Sequence, residues 1–131
     1  MVNLFEPTIG PIKIIEQAIS KAKESGLLIC RGPLFIWTGQ ENSGRDKILG
    51  CDGTGAVLWV HDLHKSEDRV KHLCRILNVD TWWLHRFWFG WSQQIAMNVI
   101  RVDCFAGFES LESDEVSKKA SQISKKYSKT P

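Results

Sequence analysis

Apolar residues recur at three- and four-residue steps near the start of the chain. Pro11, Ile12, Ile15, Ala18, Ile19 and Ala22 share one side of a helical wheel, and Lys13, Glu16, Gln17, Lys21 and Lys23 lie elsewhere on it. This period predicts an amphipathic helix opening at Gly10-Pro11, where a proline in the first turn gives up no hydrogen bond. Gly26 predicts its end, with Lys21 and Lys23 placing positive charge in the closing turns. Two short apolar runs follow, residues 27–30 and 34–38, separated by Arg31-Gly32-Pro33, and they predict two strands paired as a small hairpin.

Residues 39–46 form the most polar and turn-rich stretch, a natural exposed loop, and residues 50–55 read as a second loop. Residues 56–64 are apolar almost all round, which predicts a buried segment. Periodicity alone leaves helix and strand open; a helix is the favoured reading, with Thr54 as a candidate cap. Ser66-Glu67-Asp68 predicts the capped start of another helix, with Val70, Leu73, Cys74 and Leu77 as its core face and Asn78 as its end. Asp80 then caps a helix over residues 81–91, which holds six of the chain's thirteen aromatic residues. Residues 95–102 read equally as a continuation of that helix or as a separate strand. The closing helix begins at Ser113-Asp114-Glu115, with Val116, Ala120, Ile123 and Tyr127 along one face.

These elements predict an α+β fold, a compact and mainly helical single domain over residues 1–131 with a small two-stranded β element, frayed at residues 1–9 and 128–131. At 131 residues and 43% hydrophobic content, the chain buries roughly two-thirds of its unfolded surface and does not depend on a disulfide or metal staple. No apolar run approaches the roughly 20 residues of a membrane helix, so no membrane association and a cytoplasmic location are expected.

Charge changes the picture little. Residues 1–112 carry 12 basic against 13 acidic groups, whereas residues 113–131 carry five lysines against Asp114 and Glu115. A balanced body with one basic tail does not favour nucleic acid as the main partner. Cys30, Cys51, Cys74 and Cys104 are 21, 23 and 30 residues apart with no Cys-x-x-Cys pair, a spacing that gives no support for zinc and fits buried, reduced thiols.

The candidate chemistry is sparse. His61, Asp62 and His64, with His72 beyond, have the ligand types of a zinc or manganese site, yet a site needs three or four converging groups. Cys51 beside Asp52 requires a histidine base that the spacing does not select. Gly39 to Arg45 imitates a phosphate loop without its lysine or its hydroxyl, and Gly50-x-x-Gly53-x-Gly55 has the glycines in the wrong order for a dinucleotide site. No metal and no cofactor are expected. On the helix over 81–91, Trp83, Leu84, Phe87, Trp88 and Trp91 share one broad face. Trp82, Arg86 and Phe89 share the other. Such a helix reads first as a central one packed on both sides; in the second reading Trp82 and Phe89 stay partly exposed beside Arg86 as a candidate stacking or cation–π surface.

The amphipathic first helix, Cys51-Asp52-Gly53-Thr54-Gly55-Ala56-Val57, the Phe89-Gly90-Trp91 turn and the start at Asp114-Glu115-Val116 together resemble small uncharacterised proteins carried by bacteriophages and prophages, over about residues 10–127. The resemblance implies an accessory protein that blocks or redirects a host factor, and it transfers no functional residue.

The expected function is therefore a non-enzymatic binding or inhibitory protein that meets a protein or small-ligand partner through Trp82, Arg86, Phe89, Arg45 and Asp52. A homodimer through the aromatic helix is one way to cover it. The alternatives are a small metal- or cysteine-dependent hydrolase or nucleotide-processing enzyme using His61, Asp62, His64 and Cys51, and a nucleic-acid module using Trp82, Arg86, Phe89 and the lysine tail.

Overall fold

The structure, a computed structural model, describes residues 9–31, 34–37, 48–91 and 114–128, and among these it is α+β. Five helices surround a three-stranded sheet. They are α1 (Ile9–Glu24), α2 (Gly53–Val60), α3 (Arg69–Leu77), α4 (Thr81–Trp91) and α5 (Glu115–Tyr127), with strands β1 (Leu28–Ile29), β2 (Phe35–Trp37) and β3 (Ile48–Cys51). Residues 38–47 and 92–113, which include the predicted 39–46 loop and the ambiguous 95–102 segment, lie outside the described residues.

Helix α1 follows its sequence pattern: Ile12, Ile15, Ala18, Ile19 and Ala22 are all buried. It closes at Gly26, whose φ of +91° lets the Leu27 amide turn back to the Ala22 carbonyl at 3.0 Å.

The sheet departs from the expected hairpin. Strands β1 and β2 do not pair with each other; β3 lies between them, parallel to β1 and antiparallel to β2. Gly50 and Asp52-Gly53 give this segment a turn-like sequence, which hides a strand. The central place suits β3 because Gly50 and Cys51 are both buried, and pairing on both sides satisfies the backbone there. The Cys30 amide donates to the Cys51 carbonyl at 2.9 Å, and the Asp52 amide to the Leu34 carbonyl at 3.1 Å.

Helix α3 begins two residues later than its sequence signals. Asp68 is its N-terminal flank without a side-chain cap, and the Ser66 hydroxyl instead accepts the Asp68 amide at 3.2 Å. Leu73 and Leu77 are buried, whereas Val70, expected in the core, is 41% exposed. Asn78 ends the helix in the left-handed region, φ 58°.

Helix α4 supplies the two largest fully buried side chains of the core, Trp91 and Phe87. Asp80 caps it by accepting the Trp83 amide at 2.8 Å. Trp83, Phe87 and Trp91, four residues apart, stack in one column, with ring centres 5.5 and 5.7 Å apart and planes inclined by 11° and 23°. Trp91 also donates its indole N–H to the Cys30 carbonyl at 3.0 Å, which ties the column to the end of β1. Across α4 lies α5, capped by Asp114, whose carboxylate accepts the Val116 amide at 2.7 Å. The two helices touch backbone to backbone at Gly90, where an added Cβ would collide with the Ser117 carbonyl.

This contact predicts that Gly90→Ala destabilises the fold by about 3 kcal/mol, because a backbone obstacle cannot swing aside as a side chain can. Gly10→Ala is the control: no atom lies within 4 Å of a Cβ built there, and the change is expected to be neutral or to stabilise by up to about 1 kcal/mol. Urea denaturation of both variants checks the pair.

Candidate functional site

The corner between β3 and α2 holds the residues with the most chemical potential in the sequence. Asp52 sits one residue ahead of α2, in extended backbone, and its carboxylate accepts the Gly55 amide at 2.7 Å and the Thr54 hydroxyl at 2.9 Å. The Thr54 oxygen in turn accepts the indole N–H of Trp88 at 2.9 Å. The sequence puts Asp52 on a loop as a binding residue and favours Thr54 as the cap. The structure reverses both: Asp52 is 4% exposed and is the cap, and Thr54 is fully buried inside the first turn, where its hydroxyl links Asp52 to α4.

Burial raises the Asp52 carboxyl from its ordinary value to about 7, outweighing the hydrogen bonds from Gly55 and Thr54 that pull it down. Cys51 is fully buried in β3. Burial first, then the neighbouring Asp52 and Cys30, push its thiol far above the ordinary range. A nucleophilic cysteine needs the opposite, a thiolate held near a positive charge. The glycines beside it serve packing. Gly50 lies under Leu28, Gly53 against Ile15 and Trp91, and Gly55 against the Leu34 carbonyl, so the chain itself fills the space a phosphate cradle needs.

The histidine group lies in the turns between α2 and α3. His61 and Asp62 are exposed, Asp62 at a φ of 59°, and His64 is half-buried. His64 Nδ1 stands 4.0 Å from the Asp62 carboxylate, too far for a hydrogen bond. The His64 ring packs instead against the core side of β2, 6.3 Å from the Phe35 ring and 6.4 Å from that of Trp37. Arg69 donates to the His64 carbonyl at 2.8 Å and lies 5.1 Å above the Phe35 ring. Phe35, Trp37 and Arg69 are partners that sequence spacing did not reveal. Among the described residues no group of three or more His, Cys, Asp or Glu side chains is placed to hold a metal ion.

On α4 the expected binding face divides. Trp82 is 39% exposed, with His85 edge-on at 6.4 Å and the Trp88 ring 6.1 Å beyond His85. Partial burial lowers the pKa of His85. Phe89, expected beside Trp82 at the surface, is 3% exposed and belongs to the interior. Arg86 is half-buried and bound to Asp114 at 3.0 Å, which ties α4 to the cap of α5. Its charge is thereby committed within the fold. Arg45 lies outside the described residues. Of the five binding candidates, Trp82 is the one that the structure describes as exposed.

Two measurements follow from the β3–α2 corner. Between about pH 4 and pH 7 the folded chain keeps a proton on Asp52 that the unfolded chain releases, so the Asp52 contribution to stability falls as pH rises through this window, at roughly 1.4 kcal/mol per pH unit. Asp52→Asn retains an oxygen acceptor for Gly55 and Thr54 without titrating. Its urea-melting profile is therefore expected to lose that slope and to exceed the parent in stability at pH 8. Separately, Cys51 is expected to resist a thiol-alkylating reagent in the native state and to react only as fast as the chain unfolds, which peptide-resolved mass spectrometry reads directly.

No protein-family model, no curated protein and no solved structure matches the chain, so its function has to be read from these side chains themselves.

Proposed function

We propose that the chain is a small non-enzymatic binding protein that engages a protein partner through the N-terminal end of α4, with Trp82 as the anchor. The exposure of Trp82 carries this reading. The aromatic residues around it on the same helix, Trp83, Phe87, Phe89 and Trp91, are buried, while Trp82 keeps 39% of its surface accessible. A large ring left at the surface beside a half-buried histidine suits an interface anchor, because tryptophan is among the residues that contribute most when they enter a partner's pocket. The placement of the alternative machinery favours binding over catalysis. Cys51 is enclosed with its thiol protonated, Asp52 is engaged as a helix cap, and His64 is packed on Phe35 and Trp37. A role as an accessory protein directed at a host factor accords with the phage-like sequence features.

The test is affinity capture from cells of the source, comparing wild-type bait with Trp82→Ala, together with native mass spectrometry of the purified protein. A stoichiometric protein partner retained by the wild type and depleted at least tenfold by Trp82→Ala is expected, with the two baits melting at similar temperatures. Equal retention by both baits, or a metal or nucleotide co-purifying with catalytic turnover, overturns the reading.

A further inference from the structure

The end of the molecule where α1 and α5 terminate shows an arrangement that sequence spacing did not reveal. Lys23, on the last turn of α1, and Lys126, on the last turn of α5, both direct their ammonium groups over the ring of Tyr127, at 5.6 and 5.1 Å from its centre. Lys21 and Lys125 stand on the same terminal turns, all four lysines are exposed, and Glu24 is the one carboxylate there. Among the described residues Arg86–Asp114 is an ion pair and Asp62 stands 4.0 Å from His64, and none of these lysines pairs with a described acidic residue. The helix C-termini offset part of the charge, about half a unit each, which leaves these two turns net positive around the ring of Tyr127, packed on the core on one side and half-buried overall.

From this convergence we infer that the α1–α5 end binds single-stranded nucleic acid, with Tyr127 stacking on a base and Lys23, Lys126, Lys21 and Lys125 meeting the flanking phosphates. The ring decides among polyanions. An acidic peptide has use for the lysines but not for an aromatic surface between them, whereas a single strand offers phosphates to the lysines and flat bases to the ring. The lysine stems are flexible, so the ammonium groups can leave the ring for phosphate oxygens as a base arrives. This surface is distinct from Trp82, and it does not use Arg86 or Phe89, which the fold has committed elsewhere.

Fluorescence anisotropy of the full chain with a labelled oligothymidylate of about ten nucleotides, across a range of salt, tests it. The expected salt slope is about −3, from about −0.7 for each of four neutralised phosphates. Lys23→Gln with Lys126→Gln is expected to reduce the slope to about −1.5 and to weaken binding about tenfold at low salt. Tyr127→Leu is expected to weaken binding at least fivefold with the slope unchanged. Circular dichroism confirms that each variant is folded, and the lysine pair lies on exposed terminal turns outside the core. Three results overturn the inference: no binding at about 50 mM salt, an unchanged slope in the double variant, or equal competition by polyglutamate with no effect of Tyr127→Leu.

Discussion

The stacked column of Trp83, Phe87 and Trp91 is the constraint on which the rest of the molecule depends. Three large rings at four-residue spacing turn one side of α4 into a continuous apolar wall. Its last member does two further things. The Trp91 ring fills the space beside Gly53 at the start of α2, and its N–H satisfies a carbonyl at the end of β1. A helix, a strand and a strand-to-helix corner therefore converge on one side chain. Gly90, the residue immediately before it, lets α5 close in from another side. The column sets the position of α4, and α4 sets the positions of its neighbours.

A second thread of cohesion is polar and runs through the corner between β3 and α2. Asp52, Thr54 and Trp88 form a chain of hydrogen bonds that crosses from the sheet to α4, buried at Asp52 and Thr54 and half-buried at Trp88. In such surroundings an unmet polar group is costly, so each member supports the next. The same enclosure makes residues that look reactive in the sequence inert in the fold. Cys51 and Asp52 have the composition of a catalytic pair, but no reactant can reach them, and burial holds the thiol in its protonated form. Chemistry and architecture compete for the same side chains here, and architecture has taken them.

Much of this architecture is written in local pattern. The face of α1, the αL closure at Asn78, the caps of α4 and α5 and the burial of residues 56–58 all follow from periodicity and from the chemistry of helix ends, which act over a few residues. The sheet was harder to read, because its order depends on pairing between distant segments, and the glycine in β3 imitates a loop. The candidate site was the least legible. Thr54 and Trp88 meet across 34 positions, and His64 finds Phe35, Trp37 and Arg69 only through the folded chain. At Phe89 the wheel leaves both readings open, packed on both sides or partly exposed, and the fold takes the first. A helix face that looks open on a wheel becomes interior when neighbours pack on both sides of the helix.

The position of β3 between two strands that precede it has a consequence for the order in which the chain is made. Strands β1 and β2 leave the ribosome first but have no contact with each other in the sheet, so neither gains its partner until residues 48–51 have been synthesised. The indole that donates to the Cys30 carbonyl comes later still, from Trp91, 61 positions after Cys30. The N-terminal half is thus a set of surfaces waiting for residues not yet translated. Cooperative folding has to be a late event in the life of each molecule, and until then the exposed backbone of β1 and β2 is the part of the nascent chain most in need of protection.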